Sequence, residues 1–232
     1  MPAQTSNKEL IKLVAKGLKH LLPDVVFVGG SVTELYAPAD ADVQEVRTTD
    51  DVDCFIQLAS YRNLAELEEE LRRLGFVNDQ KVLCRWHYSK IVVDIMPTDP
   101  AILGFSNEWY AKGLKDTTTY QLDDVSIRIL SLPYFIASKL TALFDRGMND
   151  LRLSKDFEDI VFCLFYCFDM PEEIKAADEA VRSYIAESMA RLLSESNIDE
   201  AIYAVLPGGE QADENVEEMK GRMTVCVLLK SD

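Results

Sequence analysis

The chain reads as α/β (α+β): a mixed-sheet core over residues 1–130, then a C-terminal helical bundle over residues 131–232. Three observations carry this reading. Apolar runs of strand length recur in the first half: Val25 to Val28, Val52 to Leu58, and Ile91 to Met96. Amphipathic stretches of helical period lie beside them. From Leu132 onward strand-type patterning stops and helical spacing takes over.

The elements follow in order. Residues 7–22 carry Leu10, Val14, Leu18 and Leu21 on one helical stripe, broken by Pro23-Asp24. Val25 to Val28 form the first strand. Ser31 and Glu34 have capping-box spacing, which predicts a short helix from Ser31. Residues 37–50 read as a long polar loop. Strand two runs from about Val52 to Leu58. Ser60 then caps a helix with Leu64, Leu67, Leu71 and Leu74 on one face, closed by Gly75. Residues 81–88 and 90–96 read as an antiparallel pair through Ser89-Lys90. Pro97 to Lys115 is irregular, with a short helix at Trp109 and Tyr110. Two short strands, 117–121 and 125–130, flank Asp123-Asp124. Pro133 opens a helix reaching about Asp145 and stopped by Gly147. Ser154 begins another, to about Phe168. Residues 171–194 and 196–205 follow as helices, and Pro207-Gly208-Gly209 is a break. A last helix turns Val216, Met219, Met223 and Cys226 inward.

Composition excludes some functions. The chain has 232 residues, 48% of them hydrophobic, enough to fill the core of one large domain or two small ones. Twenty-four basic against 40 acidic side chains leave a net charge of −16, which repels nucleic acid and anionic lipid at long range. Any nucleic-acid contact must therefore use a local basic patch or metal ions. The five cysteines include no CxxC, and there are two histidines, so a zinc site is not expected. Cys163 and Cys167 read as small buried hydrophobes. The longest apolar run, Ile160 to Phe168, is too short to span a bilayer, and no signal peptide is read. The expectation is no membrane association and a reducing cytoplasm.

One pattern carries chemistry. Asp51 and Asp53 alternate on a strand and so share a face. Two adjacent carboxylates repel, and a divalent cation between them keeps both ionised. Asp50 makes the register ambiguous, but only Asp51 with Asp53 shares a strand face. Upstream, Gly29-Gly30-Ser31 ends an apolar strand in a turn whose N–H groups could hold phosphates, with glycine allowing close approach. Downstream, Asp94 interrupts Ile91-Val92-Val93-Asp94-Ile95, and a buried acid needs a partner. A phosphate-binding turn, a paired acid and a third acid suit metal-assisted nucleotidyl transfer, with Mg2+ or Mn2+ neutralising charge on the reacting phosphate.

In this order and on these elements, the residues resemble the DNA polymerase β-type nucleotidyltransferase superfamily. Arg47-Thr48-Thr49-Asp50-Asp51-Val52-Asp53 is similar to the Thr-x-Asp-x-Asp stretch of AbiEii-type nucleotidyltransferase toxins. So are Leu132 to Ala142, Arg146-Gly147 and Ser154 to Ile160. The resemblance covers about residues 25–165. It implies that Asp51, Asp53 and Asp94 hold the metal, that Lys139 and Arg146 contact the nucleotide with Gly29, Gly30 and Ser31, and that Asp156 shapes the site. It also implies an NTP substrate, a hydroxyl acceptor such as RNA or a tRNA 3′ end, and an antitoxin protein partner. A small molecule or a protein hydroxyl stays open as acceptor, and a catalytically inactive nucleotide-binding module is the alternative. One departure from the family is the interval of twenty positions from Ser31 to Asp51.

Taken singly, each part has a plainer explanation. A glycine turn before a capped helix is common scaffolding. Lys139 and Arg146, seven apart, would ordinarily be a solvated helix face. Asp156 and Asp159 lie where acids complement a helix dipole. Only the joint pattern is specific.

Overall fold

A computed structural model describes residues 5–43, 46–57, 61–98, 107–206 and 212–231. The expected end of strand two at Leu58, the Ser60 cap and the Pro207-Gly208-Gly209 break lie outside these residues. The chain divides into two compact units, Met1–Val32 with Arg47–Ser131, and Thr33–Val46 with Leu132–Asp232. Its class is α/β, as the apolar runs predict.

The first unit is built on a sheet whose described strands are β1 (Val25–Val28), β2 (Asp51–Ile56), β3 (Val77–Asn78), β4 (Arg85–Tyr88), β5 (Ile91–Pro97), β6 (Thr117–Leu122) and β7 (Val125–Leu130). Their order is β3-β4-β5-β2-β1-β7-β6. β2 lies at the centre, antiparallel to β1 and parallel to β5. β1 is buried throughout and β2 is buried at Val52 and from Cys54 to Ile56, as central strands are. Only at its N-terminal end does β2 carry polar side chains.

Helix α1 (Asn7–Leu18) starts at a capping box, with Ser6 and Glu9 bonded reciprocally. Its inner face is Ile11, Val14, Ala15 and Leu18, while Leu10 is only half-buried. The expected stripe is therefore rotated by part of a turn. The helix also ends early, because Lys19 takes φ 49° and the chain passes into a 3-10 turn, Lys19–Asp24. Helix α2 (Tyr61–Arg73) buries Leu67 and Leu71, and Gly75 at φ +92° closes it as expected.

Two further expectations change in the sheet unit. No α-helix starts at Ser31. Gly30–Tyr36 is 3-10, and the Ser31 hydroxyl donates back to the Val28 carbonyl rather than capping. Residues 81–84 are not a strand. The Asp79 carboxylate accepts from the N–H groups of Lys81 and Val82, which forms a turn, and Cys84 sits at φ 62°. Beyond it β4 and β5 do pair through Ser89-Lys90, both residues at positive φ as a tight hairpin requires. The short helix at Trp109 is present as α3 (Glu108–Gly113), capped by Asn107.

The second unit is helical. α4 (Leu132–Ala142) is buried on nearly every side and continues as a π-turn, Leu143–Gly147. α5 (Lys155–Tyr166) begins at the Ser154 cap. The expected helix over 171–194 is two, α6 (Met170–Ala176) and α7 (Glu179–Leu193). Ala177 is extended between them, and Asp178 accepts a hydrogen bond from the Tyr134 hydroxyl, which anchors the break. α8 (Ile198–Val205) and α9 (Ala212–Leu228) complete the unit, and α9 buries Val216, Met219, Met223 and Cys226 as predicted. Among the described residues, no helix is long and apolar enough to cross a membrane.

Candidate functional site

The site follows from strand register. β2 lies parallel to β5 with Asp53 opposite Asp94 and Asp51 opposite Val92, so all three acids project from the same side of the sheet. Val52, Cys54, Val93 and Ile95 alternate with them and are buried on the other side. One carboxylate oxygen from each of Asp51, Asp53 and Asp94 lies within 4.8 Å of the others, and all three residues are half-buried. Three hard oxygen donors at that spacing could hold a divalent cation. The cluster's field is felt by its neighbour. Burial first, then the charges of Asp53 and Asp94, push the Cys54 thiol well above its ordinary pKa.

The glycines beside this cluster answer to it. Val28 pairs with Asp53, so Gly29 follows directly beside that acid. Gly29 has φ +73°, and a Cβ there would lie 2.0 Å from Asp53 Oδ2. Both the backbone and the carboxylate exclude any other residue. At Gly30 a Cβ would lie 2.0 Å from an Arg47 guanidinium nitrogen and 3.2 Å from Thr49 Cγ2. The turn thus admits an acid on one side and a cation on the other.

Asn7 fixes the approach to β2. Buried on α1, it donates to the Arg47 carbonyl at 2.9 Å and accepts from the Thr49 N–H at 3.0 Å. The Thr49 hydroxyl in turn donates to the Asp51 carbonyl at 3.0 Å. Nothing in the sequence marks Asn7 for this task, since its partners lie some forty positions away.

Asp94 has the partner that a buried acid needs, and it is Arg85. The guanidinium donates through Nε to Oδ1 and through a terminal nitrogen to Oδ2, both at 2.8 Å. These bonds, then the charges of Asp94, Asp51 and Asp79, raise the Arg85 pKa, so it stays cationic at any working pH. The signal for Arg85 was present. A hairpin through Ser89-Lys90 pairs residues equidistant from the turn, which sets Arg85 opposite Asp94.

Ser31 lies in the first unit, and the predicted residues Lys139, Arg146 and Asp156 form a cluster within the helical unit. Lys139 on α4 reaches Asp159 at 2.5 Å and Asp156 at 3.3 Å on α5. Arg146, on the π-turn, donates twice to Asp156 Oδ2, at 3.0 and 2.8 Å. Lys139 is 8% exposed and Asp156 6%, so neither is a solvated face, whereas Arg146 is 69% exposed. Asp159, which the sequence placed only on the same helix face as Asp156, is the closer partner of Lys139. Asp51, Asp53, Asp94, Gly29 and Gly30 are thus assembled in the first unit, and Lys139, Arg146 and Asp156 in the second.

The chain matches no family model and no curated protein. It does resemble solved structures. An antigenic nucleotidyltransferase-like protein from Paracoccidioides brasiliensis shares 16% identity at a TM-score of 0.51, with 88% of this chain and 94% of that one covered. A putative nucleotidyltransferase from H. pylori shares 12% identity at a TM-score of 0.50, covering 97% and 94%. At such identities the likeness establishes the fold, which this chain shares with nucleotidyltransferase-like proteins.

Proposed function

We propose that this protein is a metal-dependent nucleotidyltransferase that moves a nucleoside monophosphate from an NTP to a hydroxyl acceptor. The observation that carries the reading is the acid triad. Two neighbouring strands deliver three carboxylates to one spot, beside a glycine turn, on a fold shared with nucleotidyltransferase-like proteins. Asp51, Asp53 and Asp94 would hold Mg2+ or Mn2+. A bound divalent ion would supply charge neutralisation at the reacting phosphate and a lowered pKa for the attacking hydroxyl. The chain's own residues do the rest. The N–H groups at Gly29, Gly30 and Ser31 would bind phosphate oxygens, an assignment that rests on the nucleotidyltransferase resemblance. The AbiEii-type resemblance assigns nucleotide binding to Lys139 and Arg146 and the shaping of their surroundings to Asp156, which bonds both.

That resemblance also points to a toxin with a protein antitoxin, acting in the cytoplasm on RNA or a tRNA 3′ end. Charge tempers the RNA reading. Arg146 is tied to Asp156, Arg152 to Asp150 and Glu200, and Lys139 to two acids, which leaves Lys155 as the exposed cation of that set without such an acid partner among the described contacts. A compact acceptor, held by shape and by the metal site, fits better than a long phosphate track.

One observation favours a second reading, nucleotide binding without turnover: Arg85 already occupies Asp94. Labelled NTPs incubated with Mg2+ and with total RNA, small molecules or protein separate the two. Transfer of label that disappears in Asp51→Asn and Asp53→Asn supports the enzyme. NTP-dependent thermal stabilisation with no transfer in any arm supports the binding module.

A further inference from the structure

Arg85 stands where a metal site would tolerate a cation least. Its guanidinium takes both oxygens of one of the three candidate ligands, in the fork geometry that gives the strongest carboxylate pairing. It reaches Asp94 from the directly opposed position on the next strand, so the pairing is written into the hairpin register and needs no loop rearrangement. The pair is sheltered as well, with Asp94 19% and Arg85 30% exposed. A divalent ion that uses Asp94 must share a carboxylate with a permanent positive charge that also acts on Asp51.

We propose that Arg85 is a positioning residue that limits the cation affinity of the triad. It fixes the Asp94 carboxylate and neutralises it, so that Asp51 and Asp53 provide most of the resting affinity and Asp94 contributes little until Arg85 is removed. This rests on the metal-binding reading above and deepens it. The consequence for substrate class is direct. A resting site kept weak for a bare ion is filled most readily by a cation arriving with a polyphosphate, whose charge supplies what Arg85 cancels.

Mn2+ binding followed by electron paramagnetic resonance or calorimetry, without nucleotide, tests this in the whole chain. Removing one positive charge beside a divalent ion is worth roughly tenfold or more in affinity at near-surface dielectric. Arg85→Gln is therefore expected to bind Mn2+ about tenfold more tightly than the wild type, and Arg85→Lys, which keeps the charge but loses the fork, less than Arg85→Gln. Asp94→Asn should change affinity little in the wild-type background and lower it clearly beside Arg85→Gln, a non-additivity that a merely structural Arg85 would not produce. If Arg85→Gln does not fold, the small effect of Asp94→Asn against a large one for Asp53→Asn still decides. Equal or weaker Mn2+ binding by Arg85→Gln, or an Asp94→Asn loss matching that of Asp53→Asn, overturns the inference while leaving the metal site standing. No Mn2+ binding by the wild type or any variant overturns both.

Discussion

Each unit of this protein carries a cluster of charged side chains, and the two are built on opposite plans. In the helical unit Lys139 and Arg146 meet Asp156 and Asp159, two cations against two anions, with Lys139 and both acids buried. In the sheet unit Asp51, Asp53 and Asp94 crowd together half-exposed, with Arg85 bonded to one of them. The first arrangement is internally neutral, and breaking it strands a charge away from water. The second brings three like charges together through strand register, with Arg85 neutralising one of them. Like charges gathered at one place and charges satisfied at another distinguish a cluster open to a cation from one whose charges already answer each other within its own unit.

The contrast can be broken from either side. The largest effect is expected on activity. Asp51→Asn or Asp53→Asn should lower nucleotidyl transfer by on the order of 10^3-fold, the scale of several kcal/mol of lost charge stabilisation, with a melting temperature equal to or above that of the wild type. Full activity in both variants would remove the triad from the chemistry. Lys139→Met comes next and should act in the other currency. With Asp156 and Asp159 left buried and short of a cation, it should cost about 3–5 kcal/mol, seen as a lower denaturant midpoint. An unchanged midpoint would mean that the helical cluster is not structural, and the difference between the two units would dissolve.

Much of this contrast was legible in the sequence because strand period is short-range information. Asp51 and Asp53 are two apart, and that alone puts them on one face. The apolar residues around Asp94 said that it needed a partner, and the hairpin centred on Ser89-Lys90 said which residue faced it. Lys139 was legible as a residue of interest but not as a buried one, since helical spacing to Arg146 is equally that of a solvated stripe. Burial there depends on α5 packing against α4, which sequence spacing does not encode. Asn7 was invisible for the same reason. The failed strand at 81–84 and the split of 171–194 each turn on one aspartate side chain that the apolar period cannot reveal: Asp79 takes local bonds from the N–H groups of Lys81 and Val82, and Asp178 takes a distant one from the Tyr134 hydroxyl.

Gly29 joins the two kinds of effect and sharpens the comparison. Ala at this position meets a φ of +73° and a carboxylate oxygen at 2.0 Å, so either the turn or Asp53 must move. We expect Gly29→Ala to cost about 1–3 kcal/mol, as strained left-handed backbone does, and to lower transfer as well by displacing Asp53. Loss of stability with transfer intact would show that Asp53 need not sit where it does.

The smallest effect lies at the edge of the sheet, where one acid is satisfied by ordinary means. A hydrogen bond from His87, then the N–H groups of Lys81 and Val82, lower the Asp79 carboxyl to about 2 from its ordinary 3.8. A depressed folded pKa means that the carboxylate favours the native state above about pH 3.8, and that this contribution drains away as the pH falls towards 2. Urea midpoints at pH 5 and pH 2.5 should therefore drop further in the wild type than in Asp79→Asn, whose side chain cannot titrate. Because Asp79 is on the surface, salt should shrink the difference. A pH dependence identical in the two proteins would mean that the turn before β4 is held by its backbone alone, and that the Arg85–Asp94 pairing beside it stands without help from that acid.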